Sequence, residues 1–240
     1  MRVIHIDSEK TWRGGQQQAI YLYEGMLKRG FDCGFLCLPK SSLHNYLAKN
    51  NLPFHTISCK GELDLYAGCK LAMLCRKKSY DVLHLHSSHS LSWGLMAKLF
   101  CPHLKLVATR RVDFPIGKNP FSAFKYRTKA INKIVTVSNN IRNVLVDCGV
   151  PESKITVIHS GIDIKKFADK KVPENFRETW KIPEKSIVVG TVAAFAGHKD
   201  YPNFLQAASL AVKENPELFF MAVGDGILLP EMKKVAMELG

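Results

Sequence analysis

Apolar runs of strand length alternate with amphipathic segments of helix length from Arg2 to Leu239, and this alternation limits the fold more than any other feature. Strands separated by helices do not close hairpins. They pair in parallel through right-handed crossovers, so the chain is expected to be α/β with a doubly wound, Rossmann-like sheet. Residues 2–7, 33–38, 54–58, 81–86, 104–109, 134–138 and 155–158 read as strands. Residues 16–29, 65–78 and 90–100 read as helices between them, the first stopped by Gly30. A further helix, capped by Asn139 or Asn140, runs to Cys148 before Gly149-Val150-Pro151.

Residues 1–163 therefore suffice for one complete domain. Residues 164–185 are charged, carry Pro173 and Pro183 with one short helix at 174–181, and read as a linker. Residues 186–240 then begin a second alternation: strand 186–192, helix 201–214, strand 218–223 and helix 229–239. Two strands and two helices do not close a doubly wound core, so this domain is expected to be incomplete.

No apolar run reaches the eighteen residues of a membrane span, and residues 1–6 enter a strand without the shape of a signal peptide. The seven cysteines form no Cys-x-x-Cys pair and sit in apolar stretches, which disfavours a disulfide framework or a zinc site. A reducing, cytoplasmic compartment is expected. The net charge of +13 draws phosphates; residues 105–142 hold nine basic residues against the single acid Asp113. An anionic membrane face is one partner such a surface suits. Nucleic acid is disfavoured, because no helix interleaves basic and aromatic residues.

Candidate site residues fall at strand ends. Gly14 and Gly15 precede a helix whose free N–H groups suit an anion, although the Gly-x-Gly-x-x-Gly fingerprint and its ribose-binding acid are absent. His84 and His86 share one face of a strand. His84 reads as a core histidine and His86 as the better site candidate, with no third ligand in view for a metal. Arg110 and Arg111 end the next strand as fixed positive charges for a phosphate or carboxylate. In the second domain the loop holding Gly197 and Lys199 joins a strand to a helix, as phosphate loops do. Gly224-Asp225-Gly226 is explained by a turn.

Taken together, Gly14-Gly15, Asp81-Val-Leu-His-Leu-His86, the passage from Gly149 through Ser160, Gly161 and Asp163 to Phe167, and His198-Lys199-Asp200 resemble the retaining glycosyltransferases of the GT-B fold, family 4. The resemblance implies transfer of a sugar, with retention, from a nucleotide sugar to a lipid, lipopolysaccharide or polysaccharide precursor at the inner face of a membrane. It needs no metal or other cofactor. It implies donor-phosphate contacts at Gly14, Gly15, Arg110 and Lys199, catalytic roles for Arg111 and His86, and a hinge at Ser160, Gly161 and Asp163. Two positions depart from the family: Ala194 stands where an arginine partners the lysine, and Arg111 where a histidine often follows the fifth strand. The family's paired glutamates would lie beyond Gly240, so the chain is expected to be a truncated transferase. A nucleotide-sugar 2-epimerase and a non-catalytic acceptor- or membrane-binding fragment are the alternatives.

Overall fold

The computed structural model describes residues 1–114, 116 and 120–240. Two compact units divide the chain, Met1–Ile162 and Asp163–Gly240. The first is built on a seven-stranded parallel sheet of β1 (Val3–Ile6), β2 (Cys33–Cys37), β3 (Phe54–Thr56), β4 (Val82–Leu85), β5 (Lys105–Arg110), β6 (Ile131–Thr136) and β7 (Ile155–Val157). Their spatial order is β3-β2-β1-β4-β5-β6-β7. The order reverses between β1 and β4, which opens a crevice at their carboxyl ends.

Strand periodicity sorts side chains onto two faces. Ile4, Ile6, Leu83, Leu85, Leu106 and Ala108 enter one core cluster with α3 (Leu65–Lys78) and α4 (Ser88–Phe100). Val3, Phe35 and Val82 enter another with α1 (Gly14–Lys28) and α2 (Ser42–Lys49). The remaining helices of this unit are α5 (Pro120–Arg127) and α6 (Asn139–Asp147). Helices α3 and α4 cross closely at Gly68, where a Cβ would stand 2.6 Å from the Met96 side chain.

Several local expectations need correction. Helix α2 was not expected; Ser41 caps it by accepting from the His44 N–H at 3.1 Å, and Leu43 and Leu47 bury one face. Strand β6 starts at Ile131, not 134, because exposed Asn132 and Lys133 interrupt the apolar run without ending the pairing. Asn132 Oδ1 accepts the Leu106 N–H at 2.9 Å beside the register shift at Leu106 and Val107. The cap of α6 is Ser138, which accepts from Ile141 N–H, rather than Asn139 or Asn140.

In the second unit β8 (Ile187–Val192) and β9 (Leu218–Val223) pair in parallel beside α9 (Tyr201–Glu214) and α10 (Leu229–Leu239). Its core is small: Phe195 stacks on Tyr201 at 3.9 Å, next to Met232. Ile187, Val188, Val189 and Val192 of β8 remain exposed. Residues 164–185, expected as a linker, group with this unit and hold α7 (Lys165–Ala168) and α8 (Phe176–Thr179). The helix expected at 174–181 is thus shorter, and Arg177 ties it to the segment leading into β8 by donating to the Pro183 and Ser186 carbonyls. No helix among the described residues is long and apolar enough to cross a membrane.

The close crossing at Gly68 predicts that Gly68→Ala loses about 1–3 kcal/mol by overpacking. Gly25→Ala, whose Cβ would meet nothing within 4 Å, is expected to gain up to about 1 kcal/mol from helix propensity. Urea unfolding of both variants checks the pair.

Candidate functional site

The register of three strands gathers the site. His5 pairs with Phe35 on one side and His84 on the other, and His84 with Val107. Two residues further along each strand lie Asp7, His86 and Thr109, so the carboxyl end of the α1-facing side carries polar groups in two successive rows where the Val3 and Val82 row carries apolar ones. Asp7 N–H donates to the Leu36 carbonyl and His86 N–H to the Ile6 carbonyl, fixing both residues just past their strands. The loops after β1 and β4 are joined by Ser8 and Ser87, whose hydroxyls are 2.7 Å apart. Ser87 also caps α4.

Asp7 anchors the entry to α1. Its Oδ1 accepts the Glu9 N–H and its Oδ2 accepts from Gln16 Nε2, both at 2.9 Å. Gln16 Oε1 in turn accepts the Arg13 N–H at 3.1 Å. Burial raises the Asp7 pKa, opposed by those two hydrogen bonds. The amide of Gln16 thereby fixes the first turn of α1 to the end of β1. Gly14 opens this helix, and a Cβ there would meet nothing within 4 Å. Neither packing nor a left-handed backbone demands glycine at position 14, so its missing side chain leaves the free N–H groups of the helix end open to a ligand. A Cβ on Gly15 would lie 3.6 Å from Arg111 Cδ.

Arg111 lies on the same side. Its Nη2 donates to His86 Nδ1 at 3.1 Å and its Nη1 to the His86 carbonyl at 3.4 Å. Among the described residues no carboxylate lies within 4.0 Å of its guanidinium. Arg110 takes the other face by strand alternation: its guanidinium lies 5.2 Å over the Tyr126 ring and donates to the Phe114 carbonyl. The two arginines, expected as a pair, therefore do not share a site. Lys118, part of the basic stretch, lies outside the described residues.

The sequence reading saw no third ligand beside His84 and His86, and here the structure corrects it: His5 completes a cluster of three histidines. One nitrogen from each lies within 4.8 Å of the others. His5 Nδ1 meets His86 Nε2 at 3.1 Å, and His84 Nε2 meets Thr109 Oγ1 at 2.7 Å. His5 also stacks on Phe35 and meets Tyr23 edge-on. Burial lowers all three pKa values: His5 to about 4, His84 to about 3 and His86 well below the ordinary range. Sequence reasoning missed His5, Asp7 and Gln16. The signal for the first two was the alternation Val3-Ile4-His5-Ile6-Asp7 set against Val82-Leu83-His84-Leu85-His86.

Gly161 is pinned to α1 by Gln18, whose Nε2 donates to its carbonyl at 2.7 Å and whose Oε1 accepts its N–H at 3.3 Å. Ser160 beside it is exposed. Asp163 belongs to the second unit, where its Oδ1 accepts the Lys165 N–H at 3.2 Å. Lys199 ends the 3-10 turn Gly197–Lys199 ahead of α9 and is exposed. Gly224 and Gly226 press on the Ala193 and Phe195 carbonyls, so packing alone accounts for them.

Three imidazoles held neutral set an acid limit on the fold. Above about pH 6.5 the rings are neutral both folded and unfolded. As pH falls below that value, the unfolded chain takes up protons that the folded chain refuses. Stability is therefore full above this range and is lost on acidification, by up to about 1.4 kcal/mol per pH unit for each ring. Urea midpoints between about pH 7 and 4.5 check this; His5→Phe is expected to flatten the loss, and equal slopes would contradict the assignment.

The profile of Glycosyltransferase Family 4 matches residues 12–166. A curated relative in Escherichia coli, named UDP-Gal:alpha-D-GlcNAc-diphosphoundecaprenol alpha-1,3-galactosyltransferase, is 23% identical over 248 aligned positions, 97% of this chain and 64% of its own length. This chain thus spans just under two thirds of that relative. Among solved structures, Anabaena HepE in complex with UDP and glucose superposes with a TM-score of 0.79 at 16% identity, covering 100% of this chain and 66% of HepE. A Neisseria meningitidis UDP-GlcNAc 2-epimerase bound to UDP-GlcNAc is less similar: TM-score 0.57 at 13% identity, over 100% of this chain and 69% of the epimerase. The fold is the Rossmann-like α/β architecture of GT-B glycosyltransferases. With its profile matched over well more than half its residues, this chain belongs to Glycosyltransferase Family 4.

Proposed function

We propose that this chain forms the acceptor-side domain and the start of the donor-side domain of a retaining glycosyltransferase. It would move a hexosyl group from a UDP-sugar to a lipid-linked saccharide of the cell envelope. One observation carries the reading: an arginine with no carboxylate in direct contact, beside a glycine-opened helix N-terminus, at the switch point of a doubly wound sheet. That arrangement favours an anionic oxygen and little else. Family membership supports the reaction class, and the name of the E. coli relative supports a UDP-sugar donor and a diphosphate-lipid acceptor. The weaker likeness to the epimerase leaves the transferase reading ahead.

In this reading the bond from the sugar C1 to the diphosphate oxygen breaks as the acceptor hydroxyl oxygen bonds to C1 on the same face. The acceptor proton passes to the departing phosphate oxygen. In the first unit Arg111 and the N–H groups at Gly14 and Gly15 are the groups suited to stabilise negative charge; in the second, Lys199 offers a point charge to a phosphate. Arg110, turned onto Tyr126, holds the segment after β5 instead.

Docking at the inner face of a membrane belongs to the same proposal. Leu63, Tyr66 and Phe124 are exposed, and Glu62 ties their two segments together through its ion pair with Lys125. Lys60 and Lys70 lie on the same stretch of chain and add positive charge.

Nucleotide release from UDP-sugars, assayed with a lipid-linked acceptor, tests the reaction. Arg111→Ala is expected to lower turnover about 10²–10³-fold. Gly14→Leu is expected to abolish turnover while leaving the urea midpoint unchanged; full activity in either variant would sink the assignment. Co-sedimentation with anionic but not neutral vesicles, weakened by salt, is the expected membrane result.

A further inference from the structure

A carboxylate that aims an arginine by direct contact also offsets its charge. Arg111 is aimed differently. Its side chain donates to one residue, His86, through the ring nitrogen at 3.1 Å and the carbonyl at 3.4 Å. Both Asp7 oxygens accept from Glu9 N–H and Gln16 Nε2. An imidazole nitrogen that accepts from a guanidinium is unprotonated, because arginine only donates. The proton of neutral His86 then sits on Nε2 and is donated to His5 Nδ1, 3.1 Å away. His5 carries its own proton on Nε2, an atom that is buried with no hydrogen-bond partner.

We propose that His86, seated on His5, is a positioning residue that aims the Arg111 guanidinium with no carboxylate in direct contact, leaving it available to the anion. This rests on the reading of Arg111 as the anion-binding group. His86 is buried, and both ring nitrogens are occupied by protein partners, so its ring acts through Arg111 and touches no substrate. Its depressed pKa keeps the ring an acceptor at neutral pH. A metal ion on the three histidines would sit close to the Arg111 guanidinium, and both Asp7 oxygens are already committed to Glu9 and Gln16 rather than offered to it.

Histidine ¹⁵N spectra of the full chain test the geometry without reference to activity. The expected result is a neutral His86 protonated at Nε2, with the Nδ1 signal moving in Arg111→Ala. A ring protonated at Nδ1 overturns the proposal. Binding of inorganic pyrophosphate, read by calorimetry, tests the consequence. His86→Leu, which keeps the volume but removes the acceptor, is expected to weaken binding about tenfold, the loss of one charge-assisted hydrogen bond. His86→Asn, whose amide oxygen can stand near the place of Nδ1, is expected to recover most of it. Binding at least as tight in His86→Leu as in His86→Asn would mean that the ring only fills space. Equal affinity in wild type and Arg111→Ala would defeat the anion-site reading itself, a failure separate from the wrong tautomer. Zinc retained at one equivalent and lost in His5→Ala would also overturn the proposal, since the cluster would then be a metal site.

Discussion

The parallel pairing of β1 with β4 is the constraint on which the site depends. These strands are distant in sequence and adjacent in space, and their crossovers run to opposite sides of the sheet. The crevice at their carboxyl ends lies where those crossovers diverge, with the two loops joined at its base through Ser8 and Ser87. Register then does the chemistry. His5 opposite His84, and Asp7 beside His86, follow from one alignment of two short strands. A slip by one residue would turn these groups onto the α3 and α4 side and place Ile4 and Ile6 in the crevice.

That alignment is held by apolar burial on both faces and is costly for the polar groups it carries. Three imidazoles and a carboxylate lie there, His5, Asp7 and His86 buried and His84 partly so. Each is matched to a partner with few exceptions: Asp7 to Gln16, His86 to Arg111 and His5, His84 to Thr109. The unmatched atoms, His5 Nε2 and Arg111 Nε, lie in the same cluster. Buried polar networks of this kind fix geometry more than they add stability. The second unit rests on a thinner basis, a stack of Phe195 on Tyr201 with Met232, and its strands leave branched side chains exposed.

Much of this was legible along the chain. The apolar runs located every strand of both units, since a parallel strand buried on both faces needs continuous apolar character. Gly14 and Gly15, His86 and Arg111 stood out because glycine pairs and charged residues at strand ends have few structural reasons to be there. Helix α2 was missed because its residues, Ser42-Leu43-His44-Asn45-Tyr46-Leu47, have weak helix propensity; the Ser41 cap and the burial of Leu43 and Leu47 stabilise it instead. Asn132 and Lys133 hid the start of β6 because they are polar on a strand whose pairing continues through them.

The sequence by itself determined the α/β architecture, the positions of the strands and the glycine-opened helix, because each is written in local periodicity and backbone preference. Only the tertiary structure decided that His5 joins His86 across 81 positions, that Asp7 is committed to Gln16, and that Arg111 faces α1 while Arg110 turns to Tyr126. Those are matters of strand order and register, and they are set by the packing of the whole sheet. No stretch of the chain short enough to read by its own periodicity contains both partners.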